Sequence, residues 1–354
     1  MCCKMYNVIR QRVIPCLIFI LIAGLIGTGC ANRQQGEHLS ETRLLLDTYC
    51  TITIHGDVDS ELLDDAFTLC AKLEALFSIT IEDSDVWRIN HAEGEIVEVH
   101  PRTIEVIKAG LEFSELSDGM FDITIGRLTR LWNFSGQGEQ GDRSRVPLSA
   151  DIDVALQSVE NAEIFIDGNN IRLAKPPGES LYAWIDLGGI AKGYIADLLA
   201  AFLVMQGVNG AMIDLGGDVT TVGNRVDGNP WRIALRKPFG TMEEWIGIVE
   251  ASDFAVVSSG IYERQFEKDG VIYHHILDPF TGMPVITDVV SAVIIAENAL
   301  IGEGLSTIAV LVGSEKAPQL FEQVQGFICA VLILDDGEIL VIGDMRAVTI
   351  GDSG

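Results

Sequence analysis

Residues 164–173 read IFIDGNNIRL, two short apolar runs on either side of a turn-forming segment. This pattern predicts a β-hairpin, because Gly and Asn accept the positive φ angles of a tight turn. Val331–Leu334 and Ile339–Ile342 repeat the pattern around Asp335-Asp336-Gly337. Strands joined by tight turns are antiparallel, so these hairpins argue against a doubly wound parallel sheet.

Helical periodicity alternates irregularly with these strands. Apolar residues recur at helical spacing over residues 60–76, which predicts an amphipathic helix. A second helix is expected from Pro101 to Ser117-Asp118-Gly119, where Gly suits the C-terminal cap. A third follows the Gly-rich turn Ile185–Gly193 and runs to about Gln206. The prediction is an α+β fold, with mixed, largely antiparallel sheets flanked by helices.

The first 29 residues have the features of an export signal, with basic residues before an apolar run too short to span a bilayer comfortably. Leu25-Ile26-Gly27-Thr28-Gly29-Cys30 resembles a lipobox, although Gly27 stands where Leu is usual. We expect a lipoprotein signal peptide over residues 1–29 and a lipidated Cys30. The protein would then be anchored on the extracytoplasmic side of the cell membrane. An uncleaved signal anchor is the alternative.

A polar tether is expected over residues 30–43, and one large catalytic unit over residues 44–350. Within that unit, Leu44–Ile54 is expected to form a strand, and residues 132–149 a surface loop rich in Gly, Gln, Ser and charge. Past the lipobox only Cys50, Cys70 and Cys329 are left, too widely spaced for a disulfide framework or a zinc site. They are expected in the core.

The chain carries 51 acidic and 24 basic residues, a formal charge of −27. A field of this sign repels phosphate backbones, so nucleic acid is not an expected partner. An anionic ligand would have to be held by a local device such as a metal ion, a lysine or backbone N–H groups. Acidity for solubility alone is the simpler explanation of the charge.

Two Gly-rich segments could bind such an anion. Asp186–Tyr194 reads DLGGIAKGY, in which flexible backbone enters a helix and Lys192 adds a positive charge. Neither common nucleotide-binding fingerprint is present. Leu215-Gly216-Gly217-Asp218 is a similar group of small residues at a strand end. A tight structural turn explains either segment equally well.

Three further segments contain residues that could take part in catalysis or in ligand binding. His275 and Asp278 stand three residues apart before Pro279, in position to hold a metal or to act as acid–base groups. Glu303 and Thr307 share one helix face and would offer oxygen ligands to Mg²⁺, or would simply face solvent. The segment Met120-Phe121-Asp122 could contact a flat ring or pack in the core.

Taken in order, these segments resemble the ApbE family, the FAD:protein FMN transferases. The most specific segments are Gly119-Met120-Phe121-Asp122, Asp186 to Gly193, and Tyr273 to Gly282. The resemblance extends from about Leu46 to the C-terminus, and it implies an ApbE-like fold of the T-fold type.

The resemblance also implies roles for individual residues. Contacts to FAD are implied for Met120, Phe121, Asp122, Asp186, Lys192 and Ile276, with Leu46 and Thr80 at two further cofactor positions. Mg²⁺ ligands are implied at Gly189, Glu303, Ser306 and Thr307, those of Gly189 and Ser306 being backbone carbonyls. His275 corresponds to the catalytic histidine, which we expect Asp278 to support, with a pKa near the working pH.

Three positions depart from the family pattern. Glu303 replaces an Asp, Thr80 replaces a Tyr that stacks on the flavin, and Leu46-Asp47-Thr48 replaces Met-Gly-Thr.

The expected activity is a Mg²⁺-dependent transfer of the FMN moiety of FAD to a Thr or Ser hydroxyl, with release of AMP. The expected acceptor is a flavoprotein subunit of a membrane electron-transfer complex. Two alternatives are an FAD pyrophosphatase that releases FMN and AMP, and a non-catalytic flavin-binding lipoprotein.

Overall fold

An eight-stranded sheet forms the centre of the fold. The computed structural model describes residues 38–351, apart from 57, 135–144, 161, 176–177, 179–180, 242, 345 and 347. The strands are β1 His38–Leu45, β2 Thr48–His55, β3 Val97–Glu98, β4 Glu163–Asp167, β5 Asn170–Ala174, β6 Gly210–Leu215, β7 Asp218–Gly223, β8 Trp231–Arg236, β9 Trp245–Ala251, β10 Ala255–Gly260, β11 Gln265–Lys268, β12 Val271–His274, β13 Val289–Ala296, β14 Phe327–Leu334, β15 Ile339–Gly343 and β16 Val348–Ile350. The helices are α1 Glu61–Phe77, α2 Asp85–His91, α3 Pro101–Leu116, α4 Gly126–Trp132, α5 Ser149–Val159, α6 Ala191–Met205, α7 Ala299–Val312 and α8 Ala317–Phe321.

The central sheet has the strand order β1-β2-β6-β7-β10-β13-β14-β15, and each neighbouring pair is antiparallel. Three smaller antiparallel sheets, β16-β9-β8, β3-β5-β4 and β11-β12, lie outside it. The predicted α+β class with largely antiparallel sheets is confirmed.

Both faces of the central sheet are covered. Side chains of β13 alternate between them: Ile294 packs in the large core under α1, α3, α6 and α7, whereas Val293 and Ile295 pack against β8 and β9. Because neither face reaches solvent, every residue of β13 is buried and the strand is a continuous apolar run. A third core, around Leu128 and Trp132, joins α4 to α5.

The N-terminal strand prediction was wrong. Leu44–Ile54 contains the end of β1, most of β2 and the turn between them, where Leu46 and Asp47 adopt φ angles of 55° and 56°. A two-residue hairpin turn needs two positive φ angles, and the sequence offers no Gly or Asn at this point. Residues 38–43, predicted as the end of the tether, lie within β1 and pair with β2.

Most other elements were predicted within a residue or two. The helices expected over 60–76, from Pro101 and up to Gln206 are α1, α3 and α6, and both predicted hairpins form, as β4–β5 and β14–β15. Gly119 has φ +80° just after α3, as a C-terminal cap requires. The loop predicted over residues 132–149 begins at the end of α4, and its part at 135–144 lies outside the described residues.

The predictions for the N-terminus, the signal peptide over 1–29 and the lipidated Cys30, fall outside the described residues. Among the helices that the structure describes, none combines the length and apolar character that a membrane crossing requires. Cys50, Cys70 and Cys329 are buried free thiols, as expected for core residues.

Candidate active site

A cavity of about 1500 Å³ opens where β7 and β10 diverge in the central sheet. Its walls come from the β1–β2 turn, the loop after α1, α4, the starts of α6 and β7, β8, the end of β10 with the loop that follows it, and α7. Segments far apart in the chain thus meet at this cavity.

One wall carries a charged cluster, which we define as Lys192, Asp218 and Glu303. The Lys192 ammonium forms ion pairs with the Asp218 carboxylate and with Glu303 Oε1, the second at 2.9 Å. Both acids are almost fully buried, with Glu303 3% and Asp218 6% exposed. Burial alone would lower the pKa of Lys192, but the two carboxylates hold it above its ordinary value. The lysine is therefore a permanent cation.

The position of Glu303 depends on close packing between α6 and α7. A Cβ at Gly193 would lie 2.5 Å from the Ala299 carbonyl oxygen, so only glycine permits this approach. The Gly193 N–H then donates to Glu303 Oε2. From the next turn of α6, the Asp197 carboxylate accepts the N–H groups of Ala299 and Leu300 at 2.7 and 3.0 Å. These bonds fix the first turn of α7, one turn before Glu303.

The charged cluster has two carboxylates and one ammonium, which leaves an excess negative charge in a buried place. Burial raises the pKa of Glu303, partly offset by Lys192. The Thr307 hydroxyl and residue Gly189 line the same cavity. Oxygen ligands around uncompensated negative charge are what a hard cation such as Mg²⁺ requires, so the residues fit that ion. No group of three or more His, Cys, Asp or Glu suited to a metal exists in the described part of the chain. Glu303 would therefore depend on neutral oxygens as co-ligands.

His275 lies on another wall. Its backbone N–H donates to the Arg264 carbonyl at 3.1 Å, whereas its side-chain Nδ1 is buried without a hydrogen-bond partner in the described structure. Burial, aided by the positive charge of Arg264, lowers the pKa of His275 to about 3. The prediction of a pKa near the working pH was wrong for the protein without ligands, because the imidazole is kept neutral.

The predicted support of His275 by Asp278 was also wrong. Asp278 does not line the cavity. Its Oδ1 accepts the N–H groups of Phe280 and Thr281 at 2.8 and 3.2 Å, and its carbonyl accepts the Gly282 N–H. The carboxylate is used to close its own turn, a common role for an Asp before Pro, and no hydrogen bond joins it to His275 in the described structure.

The turn that leads into α6 is held from two sides. Asp186 accepts the Thr129 hydroxyl at 2.6 Å and the Gly188 N–H at 2.8 Å. Asp122, on the neighbouring segment, accepts both the N–H and the hydroxyl of Thr124 at 2.7 Å. Burial raises the pKa of Asp122, and the bonds from Thr124 oppose that rise. Two carboxylates are thus presented to the cavity in fixed positions.

Comparison with known proteins decides the family. A model described as the ApbE family matches residues 46–332. The chain belongs to the ApbE family. An FAD:protein FMN transferase from Vibrio cholerae is 32% identical over 319 residues, which is 88% of this chain and 92% of the relative. One from Treponema pallidum is 29% identical over 343 residues, 91% of this chain and 92% of the relative.

Solved structures of the ApbE family share the fold. The crystal structure of the ApbE protein from Thermotoga maritima matches with a TM-score of 0.75 at 34% identity, covering 86% of this chain and 97% of that one. The flavin transferase ApbE from Vibrio cholerae matches with a TM-score of 0.74 at 28% identity, covering 87% and 97%. The resemblance inferred from the motifs is therefore confirmed.

The ApbE-family positions converge on one cavity. All the predicted site residues in the described structure line it except Asp278 and Ser306. Ser306 is fully buried behind the wall, where its hydroxyl bonds to the Glu303 carbonyl and to Ser259 Oγ at 3.1 and 2.8 Å. Its role as a metal ligand stays a prediction. The residues that line the cavity are Leu46, Thr80, Met120, Phe121, Asp122, Asp186, Gly189, Lys192, His275, Ile276, Glu303 and Thr307.

Two of the three positions that depart from the ApbE pattern, Leu46 and Thr80, line the cavity close to α1. Leu46 is held in its left-handed turn by an N–H bond to Glu74 Oε1 at 2.8 Å. Thr80 is exposed on the loop after α1, and its hydroxyl is 3.1 Å from Ser78 Oγ. Thr80 carries no ring, so it offers no stacking surface for a flavin. Trp87 and Trp184 also line the cavity and had not been predicted.

Sequence reasoning missed other cavity residues. Asp218 was quoted within a Gly-rich segment, but nothing indicated that it pairs with Lys192, 26 residues earlier. Tyr262 and Arg264 were not predicted as site residues. Arg127, Arg130 and Arg236 were given no role either, because an isolated arginine on a short helix or strand is typical of any surface.

Proposed function

We propose that this protein is an FAD:protein FMN transferase, which moves FMN from FAD to a hydroxyl side chain of an acceptor flavoprotein and releases AMP. The observation that carries the proposal is the charged cluster of Lys192, Asp218 and Glu303 in the same cavity as a neutral His275. A dianionic pyrophosphate needs local positive charge in a protein of formal charge −27, which Lys192 and a cation attracted by the excess negative charge of the cluster would supply, and a proton acceptor is needed close by.

Binding of FAD follows from the walls of the cavity. The Lys192 ammonium, at the N-terminus of α6, is placed to contact the pyrophosphate, and Gly189 of the preceding turn lines the cavity beside it. Met120, Phe121 and Ile276 supply apolar surface for the ring systems. The fixed carboxylates of Asp122 and Asp186 would accept hydrogen bonds from the nucleotide.

Glu303, Thr307 and the Gly189 carbonyl would hold Mg²⁺, which would neutralise charge on the pyrophosphate. Lys192 and the Gly193 N–H hold Glu303 in a fixed position, so a cation would have to use the remaining lone pairs of its carboxylate or displace Lys192 from it.

The transfer itself is a displacement at phosphorus. The acceptor hydroxyl oxygen forms a bond to the FMN-side phosphorus, the bond from that phosphorus to the bridging oxygen breaks, and AMP carries the electron pair away. His275 would take the hydroxyl proton. Burial makes its protonated form unfavourable in the free protein, but a bound anionic pyrophosphate raises the pKa of a nearby imidazole. The base would thus become effective only when FAD is present.

We also propose that Cys30 is lipidated and holds the protein on the extracytoplasmic membrane face, close to its acceptor complex. The lipobox-like segment before Cys30 supports this proposal. A Cys30→Ala variant should move from the membrane fraction to the soluble fraction, and it should lose the mass of the lipid. An unchanged membrane fraction would favour an uncleaved signal anchor.

The transferase is tested with the full chain, FAD, Mg²⁺ and the soluble flavin domain of an electron-transfer subunit. We expect a fluorescent acceptor that survives a denaturing gel, with AMP formed in equal amount. Release of FMN and AMP at the same rate without acceptor would instead establish a pyrophosphatase. FAD that stays bound and intact would establish a non-catalytic flavin-binding protein.

A further inference from the structure

The strand β8 has a free edge. In the sheet β16-β9-β8 it pairs only with β9, and the described structure contains no other backbone hydrogen bond from its residues. An edge strand with unpaired N–H and C=O groups is a template for a further strand. Charged side chains and bulges usually protect such an edge, and β8 has exposed Arg232 and Arg236 and a register shift against β9 between Leu235 and Arg236, so a strand that adds here must complement the arginines.

Two hydrogen bonds show which backbone N–H and C=O groups of β8 point away from β9. The Lys237 N–H donates to the Glu244 carbonyl on the β9 side at 3.0 Å, and backbone groups of successive residues in a strand point to opposite sides. Ala234 and Arg236 therefore point away from β9. The Gly351 N–H bond to the Ile246 carbonyl agrees, because it directs the neighbouring Gly247 towards β8.

The free edge faces the cavity that contains His275. Four consecutive residues, 233–236, line that cavity, although their side chains alternate between buried and exposed. Ile233 and Leu235 belong to the same buried cluster as Val256 and Val293, which also line the cavity, whereas Ala234 and Arg236 lie on the exposed side of the strand. Ala234 and Arg236, whose outward N–H and C=O groups are unpaired in the described structure, thus line the cavity as well.

The surroundings of this edge are cationic and aromatic. Arg236 lies over the Tyr262 ring, 5.7 Å from its centroid, and Phe239 is 56% exposed with its ring centroid 5.6 Å from that of Tyr262. Arg236 and Arg264 form no ion pair with any described residue. Their acidic neighbour Glu263 interacts only at longer range. Two unpaired arginines in so acidic a protein favour a partner with a carboxylate.

We propose that the acceptor polypeptide binds in extended form along the free edge of β8. It adds a strand through the backbone groups of Ala234 and Arg236, and an acidic side chain of the acceptor contacts Arg236 and Arg264. This inference rests on the proposed transferase function and specifies how its protein substrate is recognised. Main-chain bonds supply the affinity in such strand addition, and flanking side chains supply the specificity.

Two variants test the edge, each with a matched control. Ala234→Pro removes an outward N–H without breaking the β8–β9 ladder, and Arg236→Ala removes the charge. The control for the charge is Arg232→Ala, because Arg232 is exposed on the same strand but does not line the cavity, and the control for proline is Ile350→Pro on β16, the opposite edge of the same sheet. The measured quantities are the KM for the acceptor flavin domain and, separately, the Kd for FAD.

Loss of one hydrogen bond or charge contact should raise the acceptor KM about tenfold in each test variant. The controls should stay within about twofold of the unaltered protein. In the unaltered protein, the acceptor should slow hydrogen exchange of the Ala234 and Arg236 amides, which tests strand addition even if Ala234→Pro fails to fold.

Two results would overturn the inference while leaving the transferase intact: acceptor KM values equal to those of the controls, or unprotected amides at β8. A weaker Kd for FAD in both test variants would also overturn it, because the edge would then bind the dinucleotide. If the unaltered protein modifies no acceptor, the proposed function itself fails.

Discussion

The charged cluster and the His275 wall of the same cavity are built in opposite ways. In the first, every charged group has partners: Lys192 pairs with Asp218 and Glu303, and Glu303 also accepts the Gly193 N–H. In the second, the His275 Nδ1 has no partner within the described structure, and Arg264 has no ion pair there. A buried polar group without a partner costs free energy, and among the described residues His275, unlike the similarly unpartnered His274, Thr220 and Trp231, lines the cavity, where a ligand could supply the bond.

This difference indicates that the charged cluster and the His275 wall have different functions. The charged cluster is fixed before any ligand arrives, as a site for a metal ion and a pyrophosphate must be. The His275 wall is left incomplete, and the acceptor would complete it. Variants in the two regions should therefore fail differently, the first in the use of FAD and the second in transfer to the acceptor.

The largest effect is expected for His275→Ala. Removal of the proton acceptor should lower kcat by about a thousandfold, while the Kd for FAD changes little. The neighbouring His274 is the matched control: it is buried, but its Nε2 bonds to the Val285 carbonyl at 3.1 Å and it does not line the cavity. His274→Gln should lower stability and leave kcat near the original. Equal losses of kcat in both variants would contradict the assignment.

A loss of about a hundredfold in FMN transfer is expected for Glu303→Gln, because the neutral amide keeps the size of the side chain but removes its charge. The Kd for FAD in Mg²⁺ should weaken together with kcat, unlike in His275→Ala. Glu322→Gln, on an exposed residue, controls for the change of net charge. Full activity of Glu303→Gln would exclude a charged role for this residue.

A smaller effect, on stability, is expected from the Asp197 bonds that fix α7. Burial raises the pKa of Asp197 from 3.8 to about 6, although the N–H groups of Ala299 and Leu300 oppose the rise. Because the folded pKa exceeds the unfolded one, the stability that this group contributes is complete below pH 3.8 and is lost as the pH rises through about 6. Asp197→Asn has no such titration.

The unfolding free energy of Asp197→Asn, relative to the original protein, should therefore rise by about 2 kcal/mol between roughly pH 4 and pH 7. Urea denaturation at a series of pH values measures this difference. Asp153→Asn, on an exposed residue of α5, controls for the loss of one carboxylate. A pH profile for Asp197→Asn equal to that of the control would contradict the raised pKa.

The two regions also differ in how much of each could be predicted from the sequence. The Gly-rich turn before α6 and the Glu303–Thr307 face are local patterns that were visible in the sequence, and residues of both line the cavity. The pairing of Lys192 with Asp218, the free edge of β8 and the lowered pKa of His275 depend on strands brought together by the sheet. No local spacing encodes them.

Two errors have the same origin. The β1–β2 turn was missed because tertiary pairing places Leu46 at a positive φ that its side chain does not favour. Asp278 was given to His275 because the two are close in sequence, whereas the turn at Pro279 uses the carboxylate locally. In both cases backbone hydrogen bonds decided the outcome, those of the β1–β2 ladder for Leu46 and those of the local turn for the Asp278 carboxylate, and residue types alone did not show it.

The central claim is that the negative FAD pyrophosphate binds with the help of a cation at Glu303, inside a protein that is itself strongly negative. Calorimetric titration of FAD into the full chain, once in Mg²⁺ and once in excess chelator, tests it directly. We expect binding at least about tenfold tighter in Mg²⁺, a difference of about 1.4 kcal/mol, and a much smaller difference for Glu303→Gln. Equal affinity under both conditions in the unaltered protein would contradict the claim.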